Sequence, residues 1–61
     1  MIEVEAVYLH KKSGVKYRVL SLAYMENDDS SVVVYQSLLF GGKIWVRPMM
    51  EFDDKFERVS G

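Results

Sequence analysis

Ile44-Trp45-Val46-Arg47-Pro48 holds the only Trp and the only Pro of this 61-residue chain, with an Arg between them. Side chains alternate along a strand, so Ile44 and Val46 share one face and Trp45 and Arg47 the other. Pro48 has no N–H to give to a ladder and belongs at the strand's end. The aliphatic pair is expected to face inward, which makes this the central strand of a curled sheet. Trp45 and Arg47 then set a flat ring beside a permanent positive charge, either as further core or as a binding surface.

Working back from this stretch, Gly41-Gly42 reads as a tight hairpin turn of the primed type. Before it, Ser31-Val32-Val33-Val34-Tyr35-Gln36 joins three β-branched residues to an aromatic, a strong strand signal that can extend from Ser37 to Phe40. Glu26-Asn27-Asp28-Asp29-Ser30 is polar, rich in turn formers and a loop. Val15 to Met25 reads as a strand with Tyr17, Val19, Ser21 and Ala23 on one face and Arg18, Leu20, Leu22 and Tyr24 on the other. Being apolar on both sides, it belongs in the middle of the sheet. Lys11-Lys12-Ser13-Gly14 is a charged turn, with Gly14 supplying positive φ. Residues 2 to 10 alternate as a first strand, with Ile2, Val4, Ala6, Tyr8 and His10 on one face. After Pro48 the spacing of Met49, Phe52 and Phe56 predicts a single 3₁₀ or α turn over Met49 to Asp54. A short closing strand follows over Phe56 to Val59. Tyr17, Phe52 and Phe56 are expected in the core.

Five short strands joined by hairpins, with one helical turn before the last, predict an all-β, SH3-like barrel as a single domain over 1–61. Closure would remove the edges that a small flat sheet leaves open. An OB-type barrel is the alternative, though it generally takes a longer chain and a helix between later strands.

The residues also carry a resemblance. Tyr8-x-His10-x-Lys12, then Gly14 and Tyr17-Arg18-Val19-Leu20, lead to Val33-Val34-Tyr35-Gln36. Trp45-Val46-Arg47-Pro48 follows, with Phe52 four residues after Pro48. This order resembles the small bacterial and phage domain known as domain-of-unknown-function family 1653, over about residues 7 to 58. Its specificity lies in the combination of segments. Tyr24-Met25 departs from it, because a more polar run is expected there. The resemblance implies a short SH3-like barrel, alone or attached to other domains, and brings no activity.

Composition narrows the function classes. The chain is 49% apolar, has no Cys and has one His, so neither a disulfide nor a thiolate metal site is available. No cofactor or metal is expected. Glu3 and Glu5 interrupt the start where a signal peptide needs a basic and then an apolar run, and no apolar run is long enough to span a membrane. A cytoplasmic protein is the expectation. Net charge is −1, with Lys11, Lys12, Lys16 and Arg18 clustered beside His10 and the acids gathered at residues 26–29 and 51–57. That basic end can still steer an anion. As an enzyme the chain offers little: His10 is its one imidazole, no Ser among Ser13, Ser21 and Ser37 is placed next to it by sequence alone, and Gly41-Gly42 lacks the rest of a phosphate loop.

A non-enzymatic binding module is therefore expected. Its ligand-binding candidates are Tyr8, His10, Lys12, Tyr35, Trp45 and Arg47, brought together if strands one, three and four adjoin. Aromatics beside Arg suit a protein or peptide partner, and also suit stacked bases of a nucleic acid or nucleotide with the 10–18 segment on phosphate. A third expectation is assembly, as a homodimer or with a larger partner, through an apolar rim of Leu38, Leu39, Phe40, Met49 and Met50.

Overall fold

In the computed structural model the chain runs β1 (Val7–His10), β2 (Lys16–Tyr24), β3 (Ser31–Ser37), a 3₁₀ turn (Phe40–Gly42), β4 (Ile44–Pro48), α1 (Met49–Lys55) and β5 (Phe56–Ser60). Residues 2–60 are described, apart from the side chains of Phe40 and Ser60, so the rim position expected for Phe40 lies outside that set. The strands form one antiparallel sheet in the order β4-β3-β2-β1-β5. The apolar strand β2 lies in its middle, as its two-sided pattern requires. β4, expected at the centre, is an edge.

The expected closed barrel is not formed. β4 and β5 end the sheet on opposite sides, and no backbone pairing between them closes it among the described residues. Helix α1 connects these two edges and packs against β3, β4 and β5. It is a full seven-residue α-helix rather than a single turn over Met49 to Asp54. Pro48, at φ −54°, leads into it, and Glu51 in the first turn and Lys55 in the last suit its dipole. Phe52 points from the helix into the sheet's inner face and is 0% exposed. Four residues on, Phe56 starts β5, and the two rings stack at 4.0 Å and 7°.

Around this stack the core is aromatic. Tyr8 and Tyr35 present ring edges to Phe52 at 5.3 and 5.1 Å, with Val19 and Val33 fully buried beside them. Burying one Phe this completely contributes about 1.5–3 kcal/mol, and each edge-to-face pair adds about 0.5–1.5 kcal/mol. Tyr17, expected in the core, packs against it while keeping part of its ring in solvent.

Several faces depart from simple alternation. In β2, Val19 pairs with Tyr35 and Ser21 with Val34, so Leu20 is an extra residue and the phase inverts beyond it. Tyr17 and Val19 stay inward, but Ser21 and Ala23 move to the outer face and Leu22 takes the inner one, opposite Val33. The first strand is shorter than expected. Glu5 at φ 75° breaks it, so Val4 is exposed while Ile2 and Ala6 remain buried. The β3–β4 connection is not a two-residue turn. β3 stops at Ser37, whose N–H bonds Lys43 O at 3.0 Å, and the loop 38–42 ends on Gly41 and Gly42 at φ 74° and 60°. Among the described residues no helix is long and apolar enough to cross a membrane.

Candidate functional site

The largest correction falls on β4 itself. Trp45 pairs with Tyr35 and Arg47 with Val33, and these partners line the core. Trp45 and Arg47 therefore take the inner face. Ile44 and Val46, expected inward, lie on the outer face at 59% and 57% exposed. The physical reason is that a single open sheet has one core. At its edge, long amphipathic side chains can cover that core with their apolar parts and still reach water with their polar ends.

Three strands then present one row each to the same side: Val15 and Tyr17 leading into β2, Tyr35 and Ser37 on β3, and Lys43, Trp45 and Arg47 leading along β4. Between them lie two adjoining depressions that share Tyr17 and Trp45. One, about 300 Å³, runs from Val15 past Leu39 to Lys43. The other, about 260 Å³, is bounded by His10, Tyr35, Arg47 and Phe56. Trp45 stands between them at 48% exposed. Lys43 Nζ lies 6.0 Å from the centroid of its ring, at the far limit of a cation–π contact.

Arg47 is held in place by three contacts. Its Nε donates to Tyr35 Oη at 3.2 Å, its Nη1 donates to Glu51 Oε1 at 3.1 Å, and its guanidinium lies 5.5 Å from the Phe56 ring centroid. Nη2 takes part in none of them. His10 sets its ring edge against Phe56 at 4.9 Å. The Ser13 backbone N–H donates to His10 Nδ1 at 3.2 Å, so the neutral ring carries its proton on Nε2. Ser13 Oγ is 2.9 Å from the same nitrogen and accepts the Val15 N–H at 3.2 Å. This Ser–His contact has the spacing of a nucleophile and its base. Here it closes a local turn, because the backbone of the same serine also occupies the imidazole nitrogen.

The six candidates separate accordingly. His10, Tyr35, Trp45 and Arg47 meet at one depression. Tyr8 is interior, its hydroxyl accepting the Glu3 N–H at 3.0 Å, and burial followed by the charge of Asp53 pushes its pKa up. Lys12 is exposed on the β1–β2 turn and lines neither depression. Strands one, three and four do not adjoin, because β2 lies between β1 and β3. The residues converge across the concave face instead. Lys43 was missed, although alternation carried one step before Ile44 places it with Trp45 and Arg47. Tyr17, expected in the core, also lines both depressions. Of the expected rim, Leu38, Leu39 and Met50 are exposed while Met49 packs against the core.

The basic segment is divided. Lys11 Nζ bonds Asp54 O at 3.1 Å, and Arg18 Nη1 bonds Glu5 O at 3.2 Å. Arg18 pairs with Gln36 on the outer face, across the sheet from Trp45. Among the described residues no three His, Asp or Glu side chains come together as a metal site.

A family model described as a protein of unknown function (DUF1653) matches residues 6–60. No curated protein and no solved structure matches the chain.

Proposed function

This chain belongs to the DUF1653 family, whose description assigns no activity, and from that premise we propose that it is a non-catalytic module binding an extended peptide along the Tyr17–Trp45 groove. The observation that carries this reading is Trp45 itself, half exposed between two depressions with Tyr17 in both. Such a surface receives a proline or aromatic side chain on each side of a ring. Lys43 at one end and the Arg47 Nη2 with the His10 Nε2–H at the other favour acidic residues flanking it.

The finer fold reading supports this use. Order β5-β1-β2-β3-β4, with a short helix before the last strand, reads as an SH3-like arrangement left open between β4 and β5, and SH3-like barrels take polyproline-type peptides in aromatic grooves. A nucleic-acid ligand draws less support, because Arg18 and Trp45 lie on opposite faces and net charge is −1.

The test is peptide selection from a random library on the immobilised domain, followed by titration of ¹⁵N-labelled protein with the selected peptides. Expected are sequences joining Pro or aromatic residues to acids, with amide shifts at residues 15–17 and 43–47 and loss of binding in Trp45→Ala. Peptides that bind Trp45→Ala equally well, or a surface that responds only to oligothymidylate at low salt, would overturn the proposal.

A further inference from the structure

The open edge of β4 is self-complementary, and we infer that two copies of this chain pair antiparallel through it about a two-fold axis at Val46. The Ser37 N–H bonded to Lys43 O turns Lys43 toward β3. Alternation of an antiparallel ladder then turns Trp45 and Arg47 toward β3 as well. It leaves the N–H and C=O of Ile44 and Val46 aimed outward from the sheet, while the C=O of Pro48, the N-cap of α1, is turned to the first hydrogen bond of the helix. No strand pairs with that side of β4 among the described residues.

Set against itself about Val46, the strand is complementary at its centre and in its side chains. Val46 exchanges two hydrogen bonds with Val46 of the second copy. Ile44 falls opposite Pro48 of the second copy, which has no N–H to give and whose carbonyl already serves α1, so the backbone bonds centre on Val46. The outward N–H and C=O of Val46 in each copy are thereby satisfied, and Pro48 falls at the end of the ladder, where its missing donor costs least. On the inner face, Trp45 lies opposite Arg47 of the second copy in a non-hydrogen-bonded pair, where side chains approach most closely. Ring and guanidinium are complementary there, and Arg47 Nη2 is uncommitted in the contacts given above. On the outer face the pairing sets the exposed Val46 beside its own copy and the exposed Ile44 beside Pro48.

The other edge of the sheet lacks this character. β5 carries Glu57 and Arg58, and Arg58 bonds Glu3, so that edge is dressed in charge. β4 has no charge on its outer face and no interruption before Pro48. Sheet edges of this kind, unless protected, pair with another strand. Five residues of strand pairing bury less than a standard interface of ~1,600 Å². The dimer is accordingly one that forms as concentration rises.

Sedimentation equilibrium of the whole chain from about 10 μM to about 1 mM tests this. The average mass should climb from monomer toward dimer, and exchange of the Val46 amide should slow over the same range. Val46→Lys and Val46→Glu each set like charges together at the two-fold axis and should be monomeric alone. Mixed in equal parts they should associate again, which a merely structural effect on the fold would not produce. Both variants should retain peptide binding, since Val46 lies across the sheet from the groove. A wild type that stays monomeric with concentration-independent amide exchange overturns the inference, and so does a Val46→Lys variant that dimerises as the wild type does.

Discussion

Replacing Trp45 by Ala should weaken the fold without abolishing it, and the structure sets the size of the loss. A Trp removes up to ~250 Å² from water when buried. At 48% exposed, Trp45 hides about half of that. At ~25 cal/mol/Å² the half amounts to ~3 kcal/mol, and allowing for a compact denatured chain brings it to ~2 kcal/mol. A domain of this size holds ~3–5 kcal/mol in total. Trp45→Ala should therefore stay folded at 25 °C, with a melting temperature lower by about 8–16 °C. Phe52→Ala is the contrast. Phe52 is 0% exposed and touches Tyr8, Tyr35 and Phe56, so its loss costs ~3–5 kcal/mol and should leave the chain unfolded. Because Trp45 is the only Trp, unfolding must be followed by tyrosine near-ultraviolet and backbone circular dichroism. If Trp45→Ala is as unfolded as Phe52→Ala, Trp45 is a core residue and the groove does not exist. If its melting point matches the wild type, the ring hides no apolar surface in the fold and the groove has lost its wall.

Three further substitutions test the groove's supports. Tyr8 has its pKa raised above 10.0 by burial first and Asp53 second, so its stabilising effect is complete below about pH 10 and is lost as pH rises through the folded-state value. Tyr8→Phe should cost ~0.5–1.5 kcal/mol at pH 7 through the bond from Glu3, and its gap from the wild type in urea midpoint should narrow near pH ~11. An unchanged gap would refute the assignment. Arg47→Lys keeps the charge but cannot bond Tyr35 and Glu51 together, so it should lose ~1 kcal/mol, while Glu51→Gln should lose no more than ~0.5 kcal/mol. Equal losses in denaturant midpoint would assign no separate role to the Tyr35 bond.

The sequence by itself determined the elements and most of the core. β-branched runs, the acidic loop after Tyr24 and the Gly and Pro positions placed five strands in order. The i, i+4 spacing of Phe52 and Phe56 showed the helical segment that joins the last two. These signals are local, resting on backbone preference and side-chain period. Three matters were decided only by the tertiary structure. Leu20 becomes a bulge because β2 must keep step with β3, and one extra residue inverts every face beyond it. The sheet stays open between β4 and β5, with α1 connecting the two edges and Phe52 beneath it. The outcome at Ile44–Pro48 follows from both. With aliphatic residues on one face and a ring beside an arginine on the other, its alternation allows either side to meet the core. What decides is that β4 is an edge over an aromatic interior, where Arg47 can lie on Phe56 and bond Tyr35 while Ile44 and Val46 remain outside. Which face is inside depends on which strands are neighbours, and residues far apart in the chain settle that together.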